Sequence, residues 1–178
     1  MALTAAAPLP RTLTTDTLII PMAGGATMFV GGLVCSNMAG YATKADDKPG
    51  FVFEGYAMGA CDANGVTISL VDSIIDNSDG DDGDIYILVR RRGRVRVNCS
   101  DALTQSAMSC LLYVVDDNTV AALAATVVND VVCGRLEKVL STGVLEMSID
   151  CYTHCAPKDW SQNVTTTVAP TTTTTSAL

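Results

Sequence analysis

The chain has 178 residues, enough for one domain with a real core and some polymer to spare. Its formal charge of −8 and isoelectric point near 4.4 exclude a partner held by bulk attraction to phosphate, which demands a net basic face. No apolar run approaches the roughly 18 residues of a membrane span, and "MALTAAAPLPRT" lacks the charged start and apolar core of a secretory signal, so we expect a soluble protein that binds neither nucleic acid nor membrane.

Only 5% of residues are aromatic, while Ala, Val, Gly and Thr dominate, a mixture suited to short strands and tight turns. Residues 1–14 carry Pro8, Pro10 and Arg11 without periodicity and read as an N-terminal arm that spans roughly 45 Å if extended. Residues 15–155 read as an all-β domain, a small antiparallel barrel or sandwich. Its predicted strands, in order, are Thr17–Pro21, Met28–Cys35, Phe51–Met58, Val66–Leu70, Ile85–Val89, Gly93–Asn98, Leu111–Val115, Val127–Leu140 and Gly143–Asp150. Turns are expected at Gly24-Gly25, Gly31-Gly32, Asn37–Gly40, Lys48–Gly50, Asn64-Gly65, Asp116–Asn118 and Thr142-Gly143, because Gly and Asn tolerate positive φ. "SDALTQSAMS" is the best candidate for a helical turn, capped by Ser100 or Asp101. Residues 156–178 form a Thr-rich, low-complexity tail that cannot bury enough apolar surface to offset its ordering entropy.

Seven cysteines, an odd number in a chain without a visible export signal, sit mostly among Val, Leu, Met and Ala and read as small buried hydrophobes, with disulfides as the alternative. Cys151, His154 and Cys155 supply at most three zinc ligands, and no second cysteine knuckle completes four. A Cys-His nucleophilic pair within that cluster lacks an orienting carboxylate. The phosphate-loop, nucleophile-elbow and zinc-protease motifs are missing, so the reading is non-enzymatic, with no cofactor. "AGGATMFVGGL" is Gly-rich, but its strand-like flanks suit close packing or bulges.

Residues 76–84 hold five aspartates, and five arginines follow within residues 85–96. An EF-hand register started at Asp76 or Asp79 places Asp81 or Asp84 where Gly is required and Ile87 or Arg90 where Glu is required. A solvated connection bent by its glycines fits better than a calcium site. On a strand, consecutive arginines point to opposite faces, so Arg90, Arg91, Arg92 and Arg94 gather on one side only if Gly93 bends the chain. They then form either a charged, protected sheet edge or a docking patch. RNA binding needs stacking aromatics, and Tyr86 alone lies nearby.

Three segments in this order, "FVFEGYAMGA…IIDNSDGDDGDIYILVRRRG", "LLYVVDDNTVA" and "VVCGRLEKVLSTGVLEMSID", resemble the tailed-bacteriophage capsid cement (decoration) protein family. That family has a G-x-A phrase, then D-N-S-x-G-x-x-G-D, a strand ending R-R-G, and later Y-V-V-D-D-x-T-V-A. Upstream, "TMFVGGLVCSNMAGYATKADD" is similar to the family's opening hairpin, a G-x-L-V strand leading to a G-Y-A strand. The resemblance spans about residues 18–150; "CDANGVTISLVDS" departs from it as an insertion, and so does the Thr-rich tail. It implies a capsid decoration protein, made in the host bacterial cytoplasm and placed on the virion. Such a protein binds the phage major capsid protein and stabilises the head across capsomer junctions. A homo-oligomer follows from the same analogy, with a trimer favoured by symmetry. Leu9 and Arg11 in the arm, with Arg90, Arg91, Arg92 and Arg94, are the candidate capsid contacts. The alternatives are a head fibre or host-adhesion module, and an enzyme using the aspartate loop or the Cys151–Cys155 cluster.

Overall fold

The computed structural model describes residues 16–122 and 127–150. They form twelve strands and, as the only helical element among the described residues, a single 3-10 turn at Gln105–Ala107. The chain is all-β. Among the described residues, no helix is long and apolar enough to cross a membrane.

The first half builds an antiparallel sheet. Its strands are β1 (Thr17–Pro21), β3 (Leu33–Ser36), β4 (Ala42–Lys44), β5 (Val52–Cys61) and β7 (Tyr86–Arg90), in the spatial order β1-β7-β5-β3-β4. A two-stranded ribbon of β2 (Ala26–Phe29) and β6 (Ile74–Asn77) accompanies it. The second half closes into a five-stranded barrel from β8 (Arg92–Cys99), β9 (Leu111–Val114), β10 (Thr119–Ala121), β11 (Val132–Ser141) and β12 (Val144–Asp150), in the order β10-β8-β12-β11-β9. Only β10 and β8 run parallel in the barrel; closure leaves it no free edge.

Burial follows the two-residue period of strands. Along β12, Leu145, Met147 and Ile149 are buried and alternate with half-buried Val144, Glu146 and Ser148. β3 instead is buried on both faces: Leu33 and Cys35 join the barrel core, while Val34 joins a second core with Met28, Ile75, Ile87 and Val89. Phe53, on β5, also enters the barrel core. The sheet is therefore the middle layer, with ribbon and barrel sharing its apolar side chains.

Several predicted strands change. Met28–Cys35 breaks into β2 and β3 at Gly31, where φ is +88° and the backbone turns to hydrogen-bond Ala57. Val66–Leu70 is not a ladder strand; it touches β5 through an isolated Cys61–Thr67 bridge, and Val66 is exposed. The strand in this region is β6, whose Ile75 is fully buried against the ribbon's core. Residues 127–131 do not extend β11, because Asp130 adopts φ of +51° and the backbone N–H groups of Val128 and Asn129 turn to Asp47. Asp101 accepts a hydrogen bond from Ala122 N at 2.6 Å, tying down the end of β10, while the 3-10 turn begins after Thr104. Of the described cysteines, Cys35, Cys61 and Cys133 are buried, Cys99 and Cys110 half-buried, and all five are unbridged. Cys151 and Cys155 lie outside the described residues.

Candidate docking surface

Asn77 determines how the acidic loop is used. Its side chain is buried and donates from Nδ2 to Ala23 O at 3.1 Å and to Asp81 O at 3.0 Å. A Cβ on Gly80 would lie 2.1 Å from Asn77 Oδ1, so only glycine lets the loop fold over that carboxamide. Three of the carboxylates serve the backbone. Asp82 accepts from Gly24 N at 2.7 Å, Asp84 from Asp81 N at 2.9 Å, and Asp76 from Ser78 N at 3.0 Å and Thr27 Oγ1 at 3.1 Å. The hydroxyl and backbone N–H of Ser78, then Thr27, hold the Asp76 carboxyl below the usual carboxylate range. Among the described residues no group of three or more His, Cys, Asp or Glu side chains is placed to hold a metal ion. The loop is a built connection between β6 and β7.

β7 carries the chain from that loop to the arginines, where it crosses from sheet to barrel. Gly93, at φ of +132°, lies within β8 opposite Ile149, and the ladder runs through it without the expected bulge. Arg92, Arg94 and Arg96 are exposed and alternate with Val95 and Val97, so the row lies on the barrel's outer face. Arg91 is turned the other way: its guanidinium meets Glu54 at 3.4 Å, with side chains only 20% and 15% exposed, and Glu54 also accepts from Ser36 Oγ at 2.9 Å. The predicted patch thus divides, with Arg91 acting as the inner joint between β7 and β5. Arg90 folds its Nε onto Arg92 O at 3.1 Å. Arg94 bridges Glu137 at 3.6 Å and Glu146 at 3.5 Å.

Both ends of the described body meet this joint. Asp16 O accepts from Arg91 N at 2.7 Å, and the Asp16 carboxylate lies 3.7 Å from Arg92. Asp150, the last described residue, pairs with Arg92 in the β12–β8 ladder. The segment preceding residue 16 and the segment following residue 150 therefore attach beside the same arginine, although nothing in the sequence places them together. Leu9, Arg11 and His154 lie outside the described residues.

Sequence reasoning missed two polar features. Asp47 bonds the backbone N–H groups of Val128 and Asn129, and Asn129 Nδ2 returns a bond to Asp47 O at 2.8 Å, clamping the sheet to the barrel across more than 80 residues of chain. One of two adjacent aspartates in "KADDKPG" carries no local signal of so distant a partner. Arg96, further along the same strand as the other arginines, lines a groove described below. An apolar face also emerges at the ribbon, where Phe29 is 54% and Val71 77% exposed and both pair with Ile74. No protein-family model matches the chain, and no curated protein matches it.

Proposed function

We propose that this chain is a non-enzymatic capsid decoration protein. On this reading it binds the outer surface of a phage head through the major capsid protein and stabilises the shell across capsomer junctions. The observation that carries the reading is the ordered series of cement-like segments, which fall on successive parts of one body: the β3–β4 hairpin, β5, the loop after β6, β7, β9–β10 and β11–β12. The attachment of both terminal segments beside Arg92 supports it as well, since arms that leave from a charged joint can engage neighbouring subunits around one contact. Arg90, Arg92 and Arg94 are the contacts this reading assigns to the joint, and Leu9 and Arg11, outside the described residues, are its further candidates; Arg91 holds the joint from inside. An interface of standard size, roughly 1,600 Å² in total, would stabilise the assembled shell by mass action. A homotrimer at local threefold positions would add multivalency.

The test is to mix the purified chain with expanded phage capsids that lack it, sediment the shells, count bound copies per capsid subunit, and follow shell melting. Saturation at a fixed ratio with a raised melting temperature is expected. Replacing Arg90, Arg92 and Arg94 together by alanine should weaken binding while the free protein stays folded. Absence of binding to every maturation state of the shell would overturn the proposal.

A further inference from the structure

The outer arginine row of β8 is unevenly committed. Arg92 faces Asp16, and Arg94 holds both Glu137 and Glu146. Arg96 has no ion pair among the described residues. Its direct neighbour across the β8–β12 ladder is Glu146, but that carboxylate leans to Arg94, with Oε1 3.5 Å from Nη1. An exposed guanidinium beside a carboxylate directed elsewhere leaves its planar fork of donors unused.

That fork borders a groove of about 480 Å³, lined by Arg96, Asn98, Asn118 and Ser141 beside Leu140 and Val144, while the Val97 side chain between Arg96 and Asn98 turns into the barrel core. The fold assembles it from distant pieces. Asn98 N donates to Asn118 O at 3.0 Å, drawing the β9–β10 turn to β8, and Val144 pairs with Asn98 to bring in the β11–β12 hairpin. Asn118 is held in turn by its own backbone N–H donating to Asp116 Oδ1 at 2.8 Å. Two carboxamides and a hydroxyl thus converge beside a cation, above an aliphatic floor.

We infer that this groove is a binding site for an acidic segment of a partner protein, with Arg96 taking a glutamate carboxylate and Leu140 and Val144 taking its methylene stem. The charge pattern selects this ligand. A guanidinium fork matches a carboxylate in two parallel hydrogen bonds, and the neighbouring amides can complete the remaining acceptor sites. The open, shallow shape suits a side chain presented on an extended backbone better than an enclosed small molecule. The site lies on the barrel wall, away from the inner Arg91–Glu54 joint, and its occupancy does not depend on whether the partner is a capsid protein.

The experiment uses the full chain, isotopically labelled, and two capped pentapeptides with a central glutamate or a central glutamine flanked by valine and alanine. Addition of the glutamate peptide should give saturable shifts at the Arg96 side-chain N–H, at the Asn98 and Asn118 carboxamides and at Ser141. The glutamine peptide should bind about tenfold or more weakly, the loss expected for a charge-assisted contact. Arg96→Gln should cause a similar loss, Arg96→Lys a smaller one because it keeps charge without the fork, and Lys44→Gln, which removes an exposed cation of β4 that does not line the groove, a change within about twofold. Folding of each variant is read from the same spectra. Unsaturable shifts, equal binding of both peptides, or equal losses in the Lys44 and Arg96 variants would overturn the inference. So would peptide-independent self-association abolished by Asp79→Asn with Asp81→Asn, which would give the groove to a second copy of this chain.

Discussion

Asp47 sits in the loop between β4 and β5 and uses both carboxylate oxygens on backbone N–H groups of the 127–130 segment. Removing it leaves those donors without their acceptor and loosens the contact between sheet and barrel. Asp47→Ala should therefore cost about 1–3 kcal/mol in urea denaturation, and Asp47→Asn, which keeps one acceptor oxygen, should cost less. Asp76 provides a pH-dependent counterpart. Its carboxyl titrates lower in the folded chain than in the unfolded one, so its contribution is complete above the ordinary carboxylate pKa of roughly 3.9 and is lost as pH falls through the folded value. Wild type and Asp76→Asn should differ in melting temperature at neutral pH, and the difference should shrink as pH drops below about 4. An unchanged difference at low pH would show that the Ser78 and Thr27 bonds do not favour the charged form.

At the scale of elements, the close approach of β5 and β7 depends on a missing side chain. Gly55 has φ of +138°, and a Cβ there would meet Arg90 O at 2.1 Å. The ladder shifts register nearby, between Ala57 and Gly59, so β5 already bends around this crossing. Gly55→Ala should destabilise the fold by about 2 kcal/mol or more, through strain and displacement of β7, and calorimetry should record it as a lower melting temperature. The glycine was legible in the resemblance as part of a G-x-A phrase, but its cause was not. β6 and β10 escaped prediction because each is short and stands beside a turn-rich acidic run. They earn their ladder positions from buried Ile75 and Val120, whose partners lie in distant segments.

For the whole molecule, the passage from sheet to barrel rests on Arg91 and Glu54. Breaking a largely buried pair by removing one partner takes the carboxylate away from the Arg91 guanidinium, and Glu54→Ala should cost about 3 kcal/mol. Glu54→Leu combined with Arg91→Met should recover much of that loss, because two apolar side chains of similar bulk leave no buried charge. Failure of the double variant to recover would assign the joint's stability to the backbone path and to the bond from Ser36. If the docking proposal holds, the double variant should still bind capsids, since the exposed Arg90, Arg92 and Arg94 are untouched. Sedimentation with shells measures that directly.

The amino-acid sequence by itself determined the all-β class, the positions of most strands and the bends between them. These follow from two-residue alternation, β-branched side chains and the backbone freedom of glycine and asparagine, all of which act within a few residues. It also showed that the consecutive Arg90, Arg91 and Arg92 cannot share one face of a regular strand. Tertiary structure alone decided which arginine turns inward, because Glu54 arrives from β5, and which is left uncommitted, because Glu146 leans to Arg94 and not to Arg96. It decided, too, that Asp16 and Asp150 meet at Arg92. Such pairings are made by side chains and strand ends far apart in the chain, and the closure of the sheet and barrel that joins them has no local signal.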